Sequence, residues 1–164
     1  MSKEDFRVYI ALLKSLAKHK AYVLIAGIKL GVPIRLLIIH DWRKLTKQEL
    51  KYFAHEFFGS SMGNSVYAHA RLHHENFSPH HPGHWIPRTG KYKNKPLEMP
   101  EVHAREMIAD WMGANKANRD SWDMVDWLNE NFIGIRLHEN TRDKIILILI
   151  MELGYRYINE VWCR

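Results

Sequence analysis

Residues 19–44 read HKAYVLIAGIKLGVPIRLLIIHDWRK, and this stretch decides the fold. It is strongly apolar, yet it opens on a histidine and closes on a His-Asp pair followed by Lys44. Gly31 and Pro33 divide it, because glycine suits the position just past a helix and proline the first turn of the next. The helix before this break reaches back to about residue 4. There Phe6, Ile10, Leu13, Ala17, Ala21, Leu24 and Ile28 recur at three- and four-residue steps, which predicts one buried stripe. The helix after the break, about 33–41, is nearly all apolar and is predicted to be central, with His40 and Asp41 at its C-terminal end. Lys29, Pro33 and Arg35 interrupt the run, and the other apolar stretch, IILILIM, has seven residues. Neither approaches the roughly 20 residues of a membrane span.

Outward from this segment, Thr46 and Glu49 have the spacing of a capping box and predict a third helix to about Phe58. A fourth covers about 65–75. Residues 76–100 hold five of the six prolines and read as a long loop. Pro100 and Glu101 open a fifth helix that ends at about Met112, before Gly113. Another covers about 120–132, and Thr141 caps a last one over about 142–160. No strand is predicted. The expectation is one compact all-α domain over residues 1–164, a bundle of six or seven helices with a long His-rich loop.

With 46% apolar and 26% charged residues, the 164-residue chain has a globular composition. Its net charge of +6 favours anionic partners, although no block of like charges forms a nucleic-acid tail. Nucleic acid is a possible partner that nothing specific indicates. Cys163 is the one cysteine, so no intrachain disulfide can form. The start, MSKEDFRVYI, lacks the pattern of a signal peptide, and a cytoplasmic location is the default expectation.

Eleven histidines are present, and His69, His73, His74, His80, His81 and His84 fall within sixteen residues. Neutral imidazole is the commonest protein metal ligand, so this clustering makes a metal site a candidate; a merely polar loop is the alternative. An aspartate directly after the apolar IRLLII is costly to bury unless it is paired or metal-bound. Adjacent helical residues point about 100° apart, so His40 and Asp41 can share a target only where the helix ends. His19 has Leu12, Leu16, Val23 and Ala26 as apolar neighbours on its face, which lets its ring turn inward. Asp110 lies among Met107, Ile108, Trp111 and Met112, and shares a helix face with Glu106. Mixed His and Asp ligands suit Mn, Fe, Ni, Co or Zn better than Ca or Mg alone.

A first-helix histidine, then His-Asp ending a second helix, then an aspartate on a later helix resembles the HD-domain superfamily. The segments HKAYVLIAGIKLGVPIRLLIIHDWRK, HHENFSPHH, MPEVHAREMIADWMG and LHENTRDKI are similar to a short, uncharacterised HD-like family of phages and bacteria. The resemblance implies a metal-dependent phosphohydrolase acting on a nucleotide or similar phosphate ester through one or two divalent transition-metal ions. It implies His19, His40, Asp41 and Asp110 as one ligand group. One of His73 and His74, and one of His80 and His81, would serve a second ion. The intervening Pro82-Gly83-His84 leaves the choice among His80, His81 and His84 open. Asp41, Lys44 and His69 are the catalytic candidates, and Lys44, Arg71 and Arg88 the candidates for holding phosphate. Trp42, Phe77, Trp85 and Trp111 could stack on a base or simply pack. A di-iron oxygenase on the same scaffold and a non-catalytic binder are the alternatives.

Overall fold

A computed structural model describes residues 2–60 and 62–164. The chain is all-α except for a terminal hairpin. Its helices are α1 (Lys3–Lys29), α2 (Ile34–Ile39), α3 (Leu50–Phe58), α4 (Asn64–Phe77), α5 (Glu101–Arg119), α6 (Val125–Asn131) and α7 (Glu139–Met151). Single 3-10 turns lie at Trp42–Leu45, Pro82–Trp85 and Phe132–Gly134. Strands β1 (Arg156–Ile158) and β2 (Val161–Cys163) pair antiparallel. Among the described residues, no helix is long and apolar enough to cross a membrane.

α1 starts at a capping box formed by Ser2 and Asp5, and Gly31 follows its end in a left-handed conformation (φ 68°). Its buried row is Val8, Leu12, Leu16, Val23 and Ala26, the row that His19 joins. The other apolar row, from Phe6 to Ile28, faces solvent, contrary to expectation. Both rows have helical spacing, and only the one that α3, α4 and α5 cover is buried. α2 is likewise peripheral rather than central: Leu37 is buried, but Ile34, Ile38 and Ile39 are each more than half exposed, at 53%, 66% and 53%.

Two apolar clusters flank the middle of the molecule. The larger joins the C-terminal half of α1 to α5, α6, α7 and the hairpin, around Met107, Ile108, Phe132, Ile145 and Trp162. The smaller, Val8, Leu12, Phe53, Ala54 and Ala70, joins the N-terminal half of α1 to α3 and α4.

Several predicted boundaries move. α3 begins at Leu50, because the Thr46 hydroxyl donates back to the Arg43 carbonyl (2.7 Å) and the Glu49 side chain is buried on histidines instead of capping. α5 runs through Gly113 to Arg119. α7 is capped by His138, whose Nδ1 accepts from the Asn140 amide, while Thr141 Oγ1 accepts from the Met99 amide (2.8 Å). The hairpin was not predicted. Its turn residues, Asn159 and Glu160, both have positive φ (49° and 63°), the geometry of a two-residue primed turn without the usual Asn-Gly signal. Tyr157 and Trp162 stack across it at 4.5 Å between ring centroids.

At Gly113 α5 packs closely on α1. A Cβ there would lie 2.5 Å from Val23 Cγ2 and 2.8 Å from the Val23 backbone nitrogen. Gly113→Ala should therefore destabilise the protein by about 1–3 kcal/mol, outweighing the gain of about 1 kcal/mol that alanine brings to a helix. Urea denaturation measures this; a stabilised variant would show that the two helices are not packed this closely.

Candidate metal centre

The centre sits between the two clusters, where α1, α2, α4, α5 and the loop after α4 converge. α2 ends in a sharp reversal: His40 is extended (φ −51°, ψ 128°) and Asp41 left-handed (φ 58°, ψ 11°). Aspartate tolerates this conformation better than most residues. The reversal lets both side chains point inward, and both are nearly fully buried, at 2% and 4% exposure. Lys20 on α1 fixes the reversal by donating to the backbone carbonyls of Ile38 and His40. In the loop, the Trp85 indole donates to the Pro79 carbonyl (2.7 Å) while its ring packs on the main core, which anchors His80 and His81.

Asp41 is shared by two groups that could each hold a metal ion. The first is His19, His40, Asp41 and Asp110; the second is Asp41, His74, His80 and His81. In the first, His19 Nε2 lies 3.0 Å from Asp110 Oδ1 and 3.6 Å from Asp41 Oδ2, and His40 Nε2 lies 3.3 Å from Asp110 Oδ1. Bonds of about 2.0–2.2 Å to one ion put neighbouring ligand atoms about 3–3.5 Å apart, so these spacings fit. In the second group, Asp41 Oδ1 and the Nε2 atoms of His74, His80 and His81 are all buried without a hydrogen-bond partner. His74 Nε2 and Asp41 Oδ1 approach to 3.0 Å without hydrogen-bond geometry. Four unpaired buried polar atoms at one place would be expensive unless something bound there satisfied them.

Two buried glutamates orient the rings. Glu49, fully buried, meets His73 Nδ1 and His74 Nδ1 at 2.8 Å each. Glu106 Oε1 meets His40 Nδ1 at 3.3 Å and His80 Nδ1 at 3.4 Å, and its other oxygen meets His103. A carboxylate on Nδ1 holds the proton there and leaves Nε2 free as a ligand, the usual arrangement behind a metal-bound histidine. Glu106 could also group with His40 and His80 as a ligand. Its position on their Nδ1 atoms favours the orienting role.

The charges agree. Asp41, Asp110, Glu49 and Glu106 face two ammoniums, Lys44, whose Nζ lies 2.6 Å from Asp41 Oδ2, and Lys20 on the His40 carbonyl. The carboxylates outnumber the ammoniums, which favours a bound cation. Burial opposes ionisation of Asp41, but the Lys44 charge and His74 hold it well below the usual carboxylate range; His19 and His40 do the same for Asp110. Burial also opposes protonation of His40, but Asp110 and Glu106 outweigh it and raise its pKa to about 10. Burial and the neighbouring His80 push His81 down to about 3, so His81 is a neutral imidazole at any physiological pH and could serve as a ligand.

The other predicted residues are placed as follows. His73 turns from the centre to Glu49, and His84 Nδ1 donates to the Asn76 carbonyl (2.7 Å). His69 is exposed on α4, one turn before His73. Arg88 is exposed and donates to Asn76 Oδ1. Lys44 is held on Asp41 rather than projecting into an open groove. Arg71 lines a groove of about 640 Å³ that reaches His81 and Asp110, one ligand from each group, together with Trp111, Trp127 and Arg136. Arg71 is paired with Glu75 at 2.9 Å, whereas Arg136 has no carboxylate partner among the described residues. Arg136, Glu49 and the orienting role of Glu106 were not read from the sequence. A smaller cavity, about 120 Å³, reaches His40 and His80 from the side of Trp42 and Phe77.

A raised His40 pKa stabilises the metal-free fold below the ordinary histidine value of 6.5 and is lost as pH rises through about 10. Chelator-treated protein should therefore lose thermal stability across that interval, while metal-loaded protein should not. Metal affinity should fall as pH is lowered, because protons compete for the ligands. Identical pH profiles with and without chelator would contradict this. Glu49→Gln should weaken metal binding about 10–100-fold, read by competition with a chromogenic chelator.

Residues 10–151 match the model of a family of unknown function (DUF5662). No curated protein and no solved structure matches the chain. The match spans most of the sequence and takes in every residue of both ligand groups, so the chain belongs to the DUF5662 family.

Proposed function

We propose that this protein is a phosphohydrolase of the HD type, using two divalent transition-metal ions to act on a nucleotide or a similar small phosphate ester. The observation that carries this reading is the set of four unpaired buried atoms around Asp41 Oδ1, beside a second ligand group that shares the same carboxylate. Two adjacent cation sites bridged by one carboxylate suit hydrolysis of a phosphate ester. The chain order of His19, His40, Asp41 and Asp110 supports the HD assignment.

The ions supply Lewis acidity and a water whose pKa is brought near neutral. The chain's own residues do the rest. Asp41, ionised and pinned by Lys44, holds both positions in register. Glu49 and Glu106 keep the imidazoles in the ligand tautomer. Arg136 at the groove wall donates to the Asn94 carbonyl but has no carboxylate partner to give up before pairing with a phosphate oxygen, and Arg71 can exchange Glu75 for the same purpose. Trp111 and Trp127, half-buried with ring centroids 5.0 Å apart, offer an aromatic wall for a base or sugar. The arginines favour a substrate that carries an anionic group such as phosphate.

The test is phosphate release from a panel of nucleotides and phosphate esters by protein loaded with Mn, Fe, Co, Ni or Zn. Activity is expected with at least one metal and is abolished by Asp41→Asn, which keeps a residue suited to the left-handed backbone. Arg136→Ala should raise KM about tenfold or more with little change in metal content. A metal-loaded protein that hydrolyses none of the panel would overturn the proposal.

A further inference from the structure

The outward row of α1 is unaccounted for by the centre. Phe6, Ile10, Leu13, Leu24 and Ile28 are 57%, 36%, 42%, 37% and 58% exposed, and Ala17 and Ala21 between them are also exposed. At 1.5 Å per residue the row is about 33 Å long, far more than the scattered single apolar residues of an ordinary surface. Its steps are four, three, four, four, three and four residues, so it reads the same in both directions from Ala17. The exposures mirror one another as well, Phe6 with Ile28 and Ile10 with Leu24.

We propose that this face binds a second copy of the chain, with the two α1 helices antiparallel across a two-fold axis at Ala17. In a two-fold interface the same patch must complement itself. Antiparallel pairing about Ala17 sets Phe6 against Ile28, Ile10 against Leu24 and Leu13 against Ala21, with the small Ala17 side chains where the helices cross. Large residues then meet small or mid-sized ones, as interdigitating packing requires. A parallel arrangement would set Leu13 against Leu13 and leave Ala21 against Ala21, a mismatch along the seam.

α2 extends the patch. It runs antiparallel to the end of α1, with Leu37 beside Gly27 and the Ile38 and His40 carbonyls on Lys20. Its exposed Ile34 and Ile38 lie beside the C-terminal half of α1, Ile38 near Lys20. A strip about 33 Å long and one helix (about 10–12 Å) wide, with α2 alongside, buries on the order of 1,000 Å² over both copies. That is near the lower limit for a specific interface.

Lys3, Arg7 and Lys14 border the row, and no acidic residue lies on it. The rims of two copies therefore repel, and salt should tighten the dimer by screening them. An acidic partner helix or an anionic membrane would suit the same rim, but neither needs a row that mirrors itself about Ala17. Binding to either would weaken with salt.

Sedimentation equilibrium on the intact protein at low and high salt should show a dimer that tightens as salt rises. Ala17→Glu, at an exposed position, should weaken it about a hundredfold by burying two like charges, with helicity and metal content unchanged. In a Cys163→Ser background, mild oxidation should link Ala17→Cys to itself. It should also link a mixture of Phe6→Cys and Ile28→Cys, but not Phe6→Cys alone. A monomer under all conditions, association that weakens with salt, or self-linking of Phe6→Cys would overturn the proposal.

Discussion

The structure depends on one buried carboxylate. Asp41 is almost wholly removed from water, stands in a left-handed conformation, and presents one oxygen to each of two ligand groups. Burying an aspartate is costly, and the surrounding architecture meets that cost at close range. Lys44 binds one oxygen, Lys20 holds the backbone that aims it, and histidines from α1, α4 and the loop after α4 close around it. The tight contact of α1 with α5 at Val23 and Gly113 packs together the two helices that carry His19 and Asp110.

A second layer explains why two glutamates are buried in so small a protein. Glu49 meets two histidine ring nitrogens and Glu106 three, and through His74, His40 and His80 they fix which nitrogen points inward. Without bound cations the centre carries an excess of negative charge, and His40 relieves it by holding a proton. The same excess would favour a bound cation. The two apolar clusters on either side keep these groups in fixed positions, so the ligand geometry does not depend on a mobile surface loop.

Much of this was legible in the sequence, and the misreadings have physical causes. His19 could be placed inward because its neighbours on one face are apolar. The His-Asp pair could be read as a helix end, because an aspartate after six apolar residues needs a reason to be there. The choice of His74 over His73 was not legible: adjacent helical residues differ by about 100°, and only the position of α2 says which one faces Asp41. Glu49 carried a false local signal, since its spacing from Thr46 is that of a capping box while its carboxylate is used across the fold. Arg136 lies far along the chain from every ligand and enters the groove only through packing. On α1 both faces are apolar with helical spacing, and periodicity alone selects neither. α2 was read as central from composition, but a six-residue helix at the edge can be apolar on all sides when most of it stays exposed.

The central claim is that Asp41 joins two metal positions. Anomalous diffraction from crystals grown with Mn or Zn addresses it most directly. Two peaks are expected, one among His19, His40, Asp41 and Asp110 and one among Asp41, His74, His80 and His81. No peak at Asp41, or ions held instead by His73 or His84, would contradict the account.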